Sequence, residues 1–188
     1  AIWLSPERTS PYKFYQYWIN VADDDAGKCL RFLTDLSLEE IESLDRSREE
    51  EPHRRESQKK LAESVTCLVH GDSGLHAAIK ATEVLFGAEI ENLTDAELLD
   101  IFADVPSVEI VPDRLSGGEL SMIDMLVESG LCSSKGESRR TIEQGGAYIN
   151  NRRVDSLDRV LSVDDLASET VIVLRRGKKK FALARFPS

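Results

Sequence analysis

The segment from Ser133 to Val154 constrains the chain more than any other. It reads Ser-Ser-Lys-Gly-Glu-Ser-Arg-Arg-Thr-Ile-Glu-Gln-Gly-Gly-Ala-Tyr-Ile-Asn-Asn-Arg-Arg-Val. A basic helix is coupled there to a short strand through a Gly-Gly stop. Ser133 or Ser134 suits the helix N-cap, since a hydroxyl at that position accepts a free backbone N–H of the first turn. Arg139 and Arg140 follow within two turns, and Ile142 marks the apolar side. Gly145 and Gly146 end the helix at low cost, because glycine accepts left-handed dihedrals. Ala147, Tyr148 and Ile149 read as a strand and Asn150-Asn151 as a tight turn. Lys135, Arg139, Arg140, Arg152 and Arg153 then share one small unit. Taken alone, an Arg-Arg pair is a solvated helix face; the whole cluster suits a phosphate backbone.

Net charge argues at first against such a partner, because 24 basic residues meet 34 acidic ones for a total of −10. The distribution reverses that argument. Residues 1–118 hold 12 Lys and Arg against 24 Asp and Glu, whereas residues 119–188 hold 12 against 10, so −12 gives way to +2. From Thr170 onward six bases meet no acid. Local sign governs how an anionic polymer docks. Val171 and Val173 alternate with Ile172 and Leu174 as a strand, Arg176-Gly177-Lys178 reads as a hairpin turn, and Lys179 to Phe186 returns. Arg175, Arg176, Lys178, Lys179 and Lys180 thereby extend the patch. Phosphate contacts set position and affinity and read little sequence, so recognition of RNA shape is expected.

Upstream, the pattern is helical. Ser10-Pro11 opens a first helix carrying Tyr12, Phe14, Tyr15, Tyr17 and Trp18, with Pro at a position where its missing N–H costs nothing. Asp23-Asp24-Asp25 is expected to cap a second, with Leu30 and Leu33 inward and Cys29 and Phe32 beside them. Ser37 and Glu40 form a capping box for a third, through Leu44. A fourth spans about 56–69, with Leu61, Val65, Leu68 and Val69 inward and Gly71 as its stop. A fifth runs over 74–86, and Thr94 caps a sixth through Phe102. Residues 10–103 thus read as an all-helical domain. The stretch 105–118, with Pro106, Pro112 and Gly117-Gly118, reads as a linker in which 108–111 forms at most a short strand. A helix from Leu120 to Glu128 follows, and 155–168 is a loop with a helical turn.

Chemistry is sparse. Cys29, Cys67 and Cys132 have no metal spacing and read as buried free thiols in a reducing compartment. His70 and His76 flank Gly-Asp-Ser-Gly and are either a metal pair or satisfied helix-end histidines. No glycine-rich phosphate loop and no Ser–His–Asp arrangement is present, so no catalytic or metal-binding residue is assigned. No apolar run approaches the ~20 residues that span a bilayer, and the start lacks a signal-peptide pattern. Because the first residue is Ala, a processed chain or a piece of a longer one is expected.

Two resemblances build on these residues. The string Ser-Lys-x-Glu-x-Arg-Arg-x-Ile-x-x-Gly-x-Ala-x-Ile-Asn, within 122–186, resembles the αL RNA-binding motif named after small-subunit ribosomal protein S-four. Thr-Ser-Pro-Tyr-Lys-Phe-Tyr-Gln-Tyr-Trp-Ile-Asn at 9–20, continued by Asn20-Val21-Ala22-Asp23-x-Asp25, resembles the start of the anticodon-binding region of bacterial tyrosyl-tRNA synthetases. Leu68-Val69-His70-Gly71 and Leu174-Arg175-Arg176-Gly177-Lys178-Lys179 are also similar to that family. The resemblance implies an α+β chain. It would have a helical anticodon-binding domain over 1–104 (with a tail of the catalytic domain at 1–9), a linker at 105–118 and an αL RNA-binding domain over 119–188. It implies tyrosine tRNA as partner, gripped at the anticodon and the long variable arm, with Asp23 or Asp25 as the place of an anticodon base contact. A carboxylate accepts hydrogen bonds from base amino and imino groups, and a capping role for the same residues is compatible.

The family's His-x-Gly-His-like signature and Lys-Met-Ser-Lys-Ser-like loop are absent. The chain therefore resembles the carboxy-terminal part of such an enzyme, cut past the active site and expected to be inactive alone. ATP and Mg²⁺ belong to the parent ligase, and no cofactor is expected on this part. The remaining expected partners are the parent's catalytic domain and a second copy joined through that domain, in the cytoplasm and without a membrane. The alternatives are a stand-alone RNA-binding or ribosome-associated module, or a regulatory or splicing role. The string Tyr12–Asn20 favours the synthetase, because a stand-alone αL protein has no need of it.

Overall fold

The computed structural model describes residues 2–187. They form two compact units that divide between Thr82 and Glu83.

In the first unit, helix α1 (Pro11–Ile19) starts where the Ser10 hydroxyl accepts the Lys13 N–H at 3.3 Å and Pro11 takes the first position. Helix α2 (Asp23–Leu33) is not capped by its aspartates. Ala22 is the N-cap with no side-chain bond, and Asp23, Asp24 and Asp25 occupy the first turn, where carboxylates favour the positive end of the helix dipole. The expected capping box opens α3 (Leu38–Glu50): the Ser37 hydroxyl accepts from Glu40 N–H, and the Glu40 carboxylate accepts from Ser37 N–H at 2.9 Å. A 3₁₀ turn at Pro52–Arg54 follows. The two helices expected around Gly71 are halves of α4 (Glu56–Leu85), kinked where Gly71 adopts φ 70° and ψ 179°. Glycine is suited to that left-handed dihedral, so the stop becomes a bend.

The core of this unit joins Phe14, Leu30, Ile41, Leu61 and Val65, with Trp18, Leu44 and Val69 packed against it. Three expected orientations differ. Leu68 is 69% exposed, Leu33 is exposed rather than inward, and Phe32 is on the surface rather than beside the core stripe. Of the three thiols, Cys132, in the second unit, is buried, while Cys29 and Cys67 are half-exposed. His76 Nδ1 lies 2.8 Å from the Asp72 carbonyl. His70 is not satisfied as a helix-end histidine: it packs edge-on to Phe14, ring centroids 4.9 Å apart, with Nε2 enclosed and unpartnered.

The second unit is a five-stranded sheet in the order β1-β5-β4-β2-β3. Its strands are β1 (Ser107–Glu109), β2 (Ala147–Ile149), β3 (Arg152–Arg153), β4 (Val171–Arg176) and β5 (Lys180–Arg185). All neighbours are antiparallel except β1 and β5, which pair in parallel with Val108 opposite Ala184. The period-two alternation of β4 and β5 sorts their residues between two faces. On one face Ile172, Leu174, Ala182 and Ala184 pack with Met122, Met125 and Leu126 of α7 (Met122–Glu128) and Ile142 of α8 (Lys135–Glu143). On the other, Val171, Val173, Phe181 and Leu183 pack with Val84, Ile90, Leu93, Leu98 and Phe102.

Residues 84–102, including α5 (Asp95–Ile101), therefore complete the sheet unit rather than the helical domain in which the sequence reading places them. The stretch 105–118 supplies the edge strand β1 and the short helix α6 (Pro112–Ser116). Backbone bonds bind it to β5: Leu183 N–H to the Pro106 carbonyl at 2.9 Å, and Ile110 N–H to the Arg185 carbonyl at 2.8 Å. Its proline and glycine punctuation reads as a linker, but the long-range pairing makes it part of the fold.

Candidate nucleic-acid interface

The interface grows from α8. Ser134 caps it by accepting from Glu137 N–H at 3.2 Å. Glu137 turns back, and its Oε2 accepts from the Ser133 N–H and hydroxyl, both at 2.7 Å, while Oε1 pairs with Arg176 at 2.6 Å. The Ser133 groups first, then the Arg176 guanidinium, hold the Glu137 carboxyl down at about 2. Arg176 also donates to the Leu131 carbonyl at 2.7 Å, and Gly177 N–H reaches the Gly146 carbonyl at 2.8 Å. The β4–β5 hairpin is thus tied along α8. The sequence reading assigns Glu137 no role, although its place after Ser133-Ser134 is a capping signal.

Ser138, Thr141 and Ile142 form the buried side of α8, leaving Arg139 and Arg140 exposed with no ion-pair partner among the described residues. Lys178 and Lys179 occupy the hairpin turn, which falls over residues 177–179, and Lys180 opens β5. All three are exposed and likewise unpaired among the described residues. These five side chains form the available positive surface.

The other predicted bases have partners. Lys135 lies 2.6 Å from Asp124, Arg152 pairs with Glu91 at 2.6 Å and Glu89 at 3.1 Å, and Arg153 pairs with Asp155 at 2.7 Å. Such exposed pairs contribute only about 0–1 kcal/mol each, so a phosphate competes for these cations at small cost. Arg175 is different. It is buried, and its guanidinium lies over the Tyr148 ring at 3.9 Å from the centroid. The alternating register of β4 turns it inward, away from the surface on which the sequence reading places it.

Asn150 and Asn151 form the expected turn, both with left-handed φ (49° and 64°). Asn150 donates to the Asp165 carbonyl at 2.6 Å and accepts from Val173 N–H at 2.9 Å. Asn151 donates to the Val84 and Ala88 carbonyls at 2.8 and 2.7 Å. The turn therefore clamps β4, the end of α4 and the residues 86–88 that follow it. Replacing Asn151 with Ala strips Ala88 of its side-chain donor and puts an ordinary residue in a left-handed conformation. A loss of about 2–3 kcal/mol is expected, to be read from urea unfolding by circular dichroism; a change below about 0.5 kcal/mol would contradict the clamp.

In the first unit, Asp23 accepts a hydrogen bond from the buried Gln58 side chain. Asp25 is exposed, in a loose 3.5 Å ion pair with Lys28. It borders a cleft of about 700 Å³ lined also by Gln16, Tyr17, Asn20 and Val21. No helix among the described residues is long and apolar enough to cross a membrane.

Two family models match this chain. Residues 1–87 match the family described as tRNA synthetases class I (W and Y), and residues 97–184 match the Tyrosine--tRNA ligase SYY-like C-terminal domain. The class is thus that of the class I aminoacyl-tRNA synthetases. Tyrosine--tRNA ligase of Rhodopirellula baltica is 48% identical over 185 residues, covering 98% of this chain and 42% of that protein. The enzyme of Roseiflexus castenholzii is 45% identical, over 98% of this chain and 44% of its own length. A C-terminally truncated Aspergillus nidulans mitochondrial tyrosyl-tRNA synthetase is 31% identical over 46% of this chain and 25% of that one, with a TM-score of 0.43. The chain belongs to the tyrosine–tRNA ligase family and corresponds to its carboxy-terminal portion, spanning less than half the length of these relatives.

Proposed function

We propose that this chain is the tRNA-holding portion of a tyrosine–tRNA ligase. The single observation that carries the reading is the set of cations unpaired among the described residues, Arg139, Arg140, Lys178, Lys179 and Lys180, on one helix and the hairpin tied to it. Oriented backbone-seeking charge of this kind binds RNA by shape. The helix, Gly-Gly stop and Asn-Asn turn support an αL domain of the ribosomal-protein-S-four type, with the long variable arm of tyrosine tRNA as its ligand. Exposure of Asp25 beside the Tyr17–Asn20 cleft supports it over Asp23 as the anticodon contact, because Asp23 is already engaged by Gln58.

Activation of tyrosine with ATP and Mg²⁺, and its transfer to the tRNA 3′ end, would belong to the portion of the parent that these residues do not include. Neither signature loop occurs in this sequence, and the two candidate histidines sit in α4, one packed on Phe14 and the other bonded to Asp72. The residues here do not fit the nucleotide chemistry, and no step passes through them. The parent would dimerise through its catalytic domain and work in the cytoplasm.

Titration with tyrosine tRNA, and with a tRNA lacking a long variable arm, at two salt concentrations tests the reading. Tighter binding of the tyrosine tRNA is expected, weakening as salt rises. Equal affinity for both would overturn the variable-arm assignment, and salt-independent binding would overturn the patch.

A further inference from the structure

Arg175 is a buried cation without an anion. It is 8% exposed, no hydrogen bond or ion pair reaches its guanidinium among the described residues, and its Nε is fully enclosed without a partner. Burial pulls its pKa down. Tyr148 lies against it at 3.9 Å and Phe181 is 5.9 Å away. Aromatic faces offset part of the cost of burying a charge, and with Nε enclosed only the outer guanidinium nitrogens remain to meet a counter-charge.

The guanidinium borders a pocket of about 370 Å³ lined by Leu85, Phe86, Tyr148, Gly177, Lys178 and Lys179. No carboxylate among the described residues lines it. Two of the unpaired lysines stand at its rim. Phe86 is 89% exposed, which is unusual for a phenylalanine in an ordered loop. The Asn151 bonds to Val84 and Ala88 grip that loop on both sides of it. Gly87 lets the loop close on the arginine: its φ is +103°, and a Cβ there would stand 3.0 Å from Arg175 Nη1. The loop is thus held so that an apolar ring faces solvent next to three positive charges.

We propose that this pocket takes one unstacked nucleotide, its base against the Phe86 ring and its phosphate against Lys178, Lys179 and the Arg175 guanidinium. The inference rests on the RNA reading above and adds a subsite to it. An aromatic ring accepts any base by its π-face, and flanking cations follow the backbone; this pairing recurs where single strands are bound. The five-cation surface grips phosphates of folded RNA, whereas the Phe86 pocket requires a base free of its stack. A free mononucleotide carries the same chemistry and is the competing source.

The test is amide NMR on the 188-residue chain, titrated separately with pentaadenylate RNA, AMP and inorganic phosphate, with tyrosine-tRNA binding measured alongside. Pentaadenylate is expected to shift Phe86, Gly87, Tyr148 and Lys178 together. Phe86→Ala should weaken it about 5- to 100-fold, and Phe86→Trp should restore it; Phe86 is exposed, so both variants should fold. AMP binding as tightly as pentaadenylate would overturn the RNA source in favour of a free nucleotide. Equal shifts with phosphate, insensitive to Phe86→Ala, would overturn the stacking. If tRNA binds in a salt-sensitive way but pentaadenylate shifts none of these amides, the pocket assignment alone is wrong. If neither RNA binds, the RNA reading itself is wrong.

Discussion

With Arg139 and Arg140 both replaced by Ala, tyrosine tRNA is expected to bind about 30-fold more weakly near 0.15 M salt, with a salt slope shallower by about 1.8. Each phosphate contact contributes roughly 0.9 to the slope of log K against log salt, and two contacts at that ionic strength are worth about one and a half decades. Both side chains are exposed and unpaired among the described residues, so the substitution leaves no buried group stranded and the fold should be retained. Lys135→Ala makes the contrast. Its ammonium is already held 2.6 Å from Asp124, so its loss exchanges one partner for another and should shift affinity less. Filter binding or fluorescence anisotropy at several salt concentrations reads both quantities. An unchanged slope in the double variant would remove these arginines from the interface.

The largest stability effect is expected at Phe14. Its side chain is fully buried, edge-on to His70 at 4.9 Å and to Trp18 at 6.1 Å, in the cluster with Leu30, Ile41, Leu61 and Val65. Phe14→Ala removes that burial and leaves a cavity, at a cost of about 3–5 kcal/mol. A second readout comes from His70, whose pKa is lowered by burial. Its folded value lies below its unfolded one, so the unfolded chain takes up the proton first as pH falls. Stability is therefore complete above the unfolded value of about 6.5 and declines below it. Opening the Phe14 site to water should raise the His70 pKa toward its ordinary value and flatten that decline. Urea unfolding across pH 5–8, with an NMR titration of the imidazole, checks both. A loss under about 1 kcal/mol, or an unmoved His70, would refute this account of the core.

Much of the candidate site's local structure is legible in the sequence because it is built from local signals. Ser134, the Gly145 stop and the Asn150-Asn151 turn each depend on neighbours within a few residues, so their spacing alone identifies helix, stop and hairpin. The capping boxes at Ser37–Glu40 and Thr94–Glu97 are present for the same reason. The aspartates at 23–25 were harder to place, because cap and first-turn positions favour the same residue type. Its spacing from Leu61 and Val65 on a helical stripe predicts Leu68 inward. The width of that stripe depends on which neighbours arrive, and none covers Leu68.

What the amino-acid sequence determined by itself was the order of the elements, the α+β class, the basic motif and the family to which the chain belongs. These depend on residue types at short separations. Only the tertiary structure decided which cations are available. The sheet turned Arg175 inward against Tyr148, Glu137 drew in Arg176, and acidic partners took up Lys135, Arg152 and Arg153. It also drew residues 84–102 and the 105–118 stretch onto the sheet. The physical reason is that ion pairing, burial and strand partnership are relations between residues far apart along the chain. A charge written in the sequence is most available to an outside partner where folding leaves it exposed and unpaired.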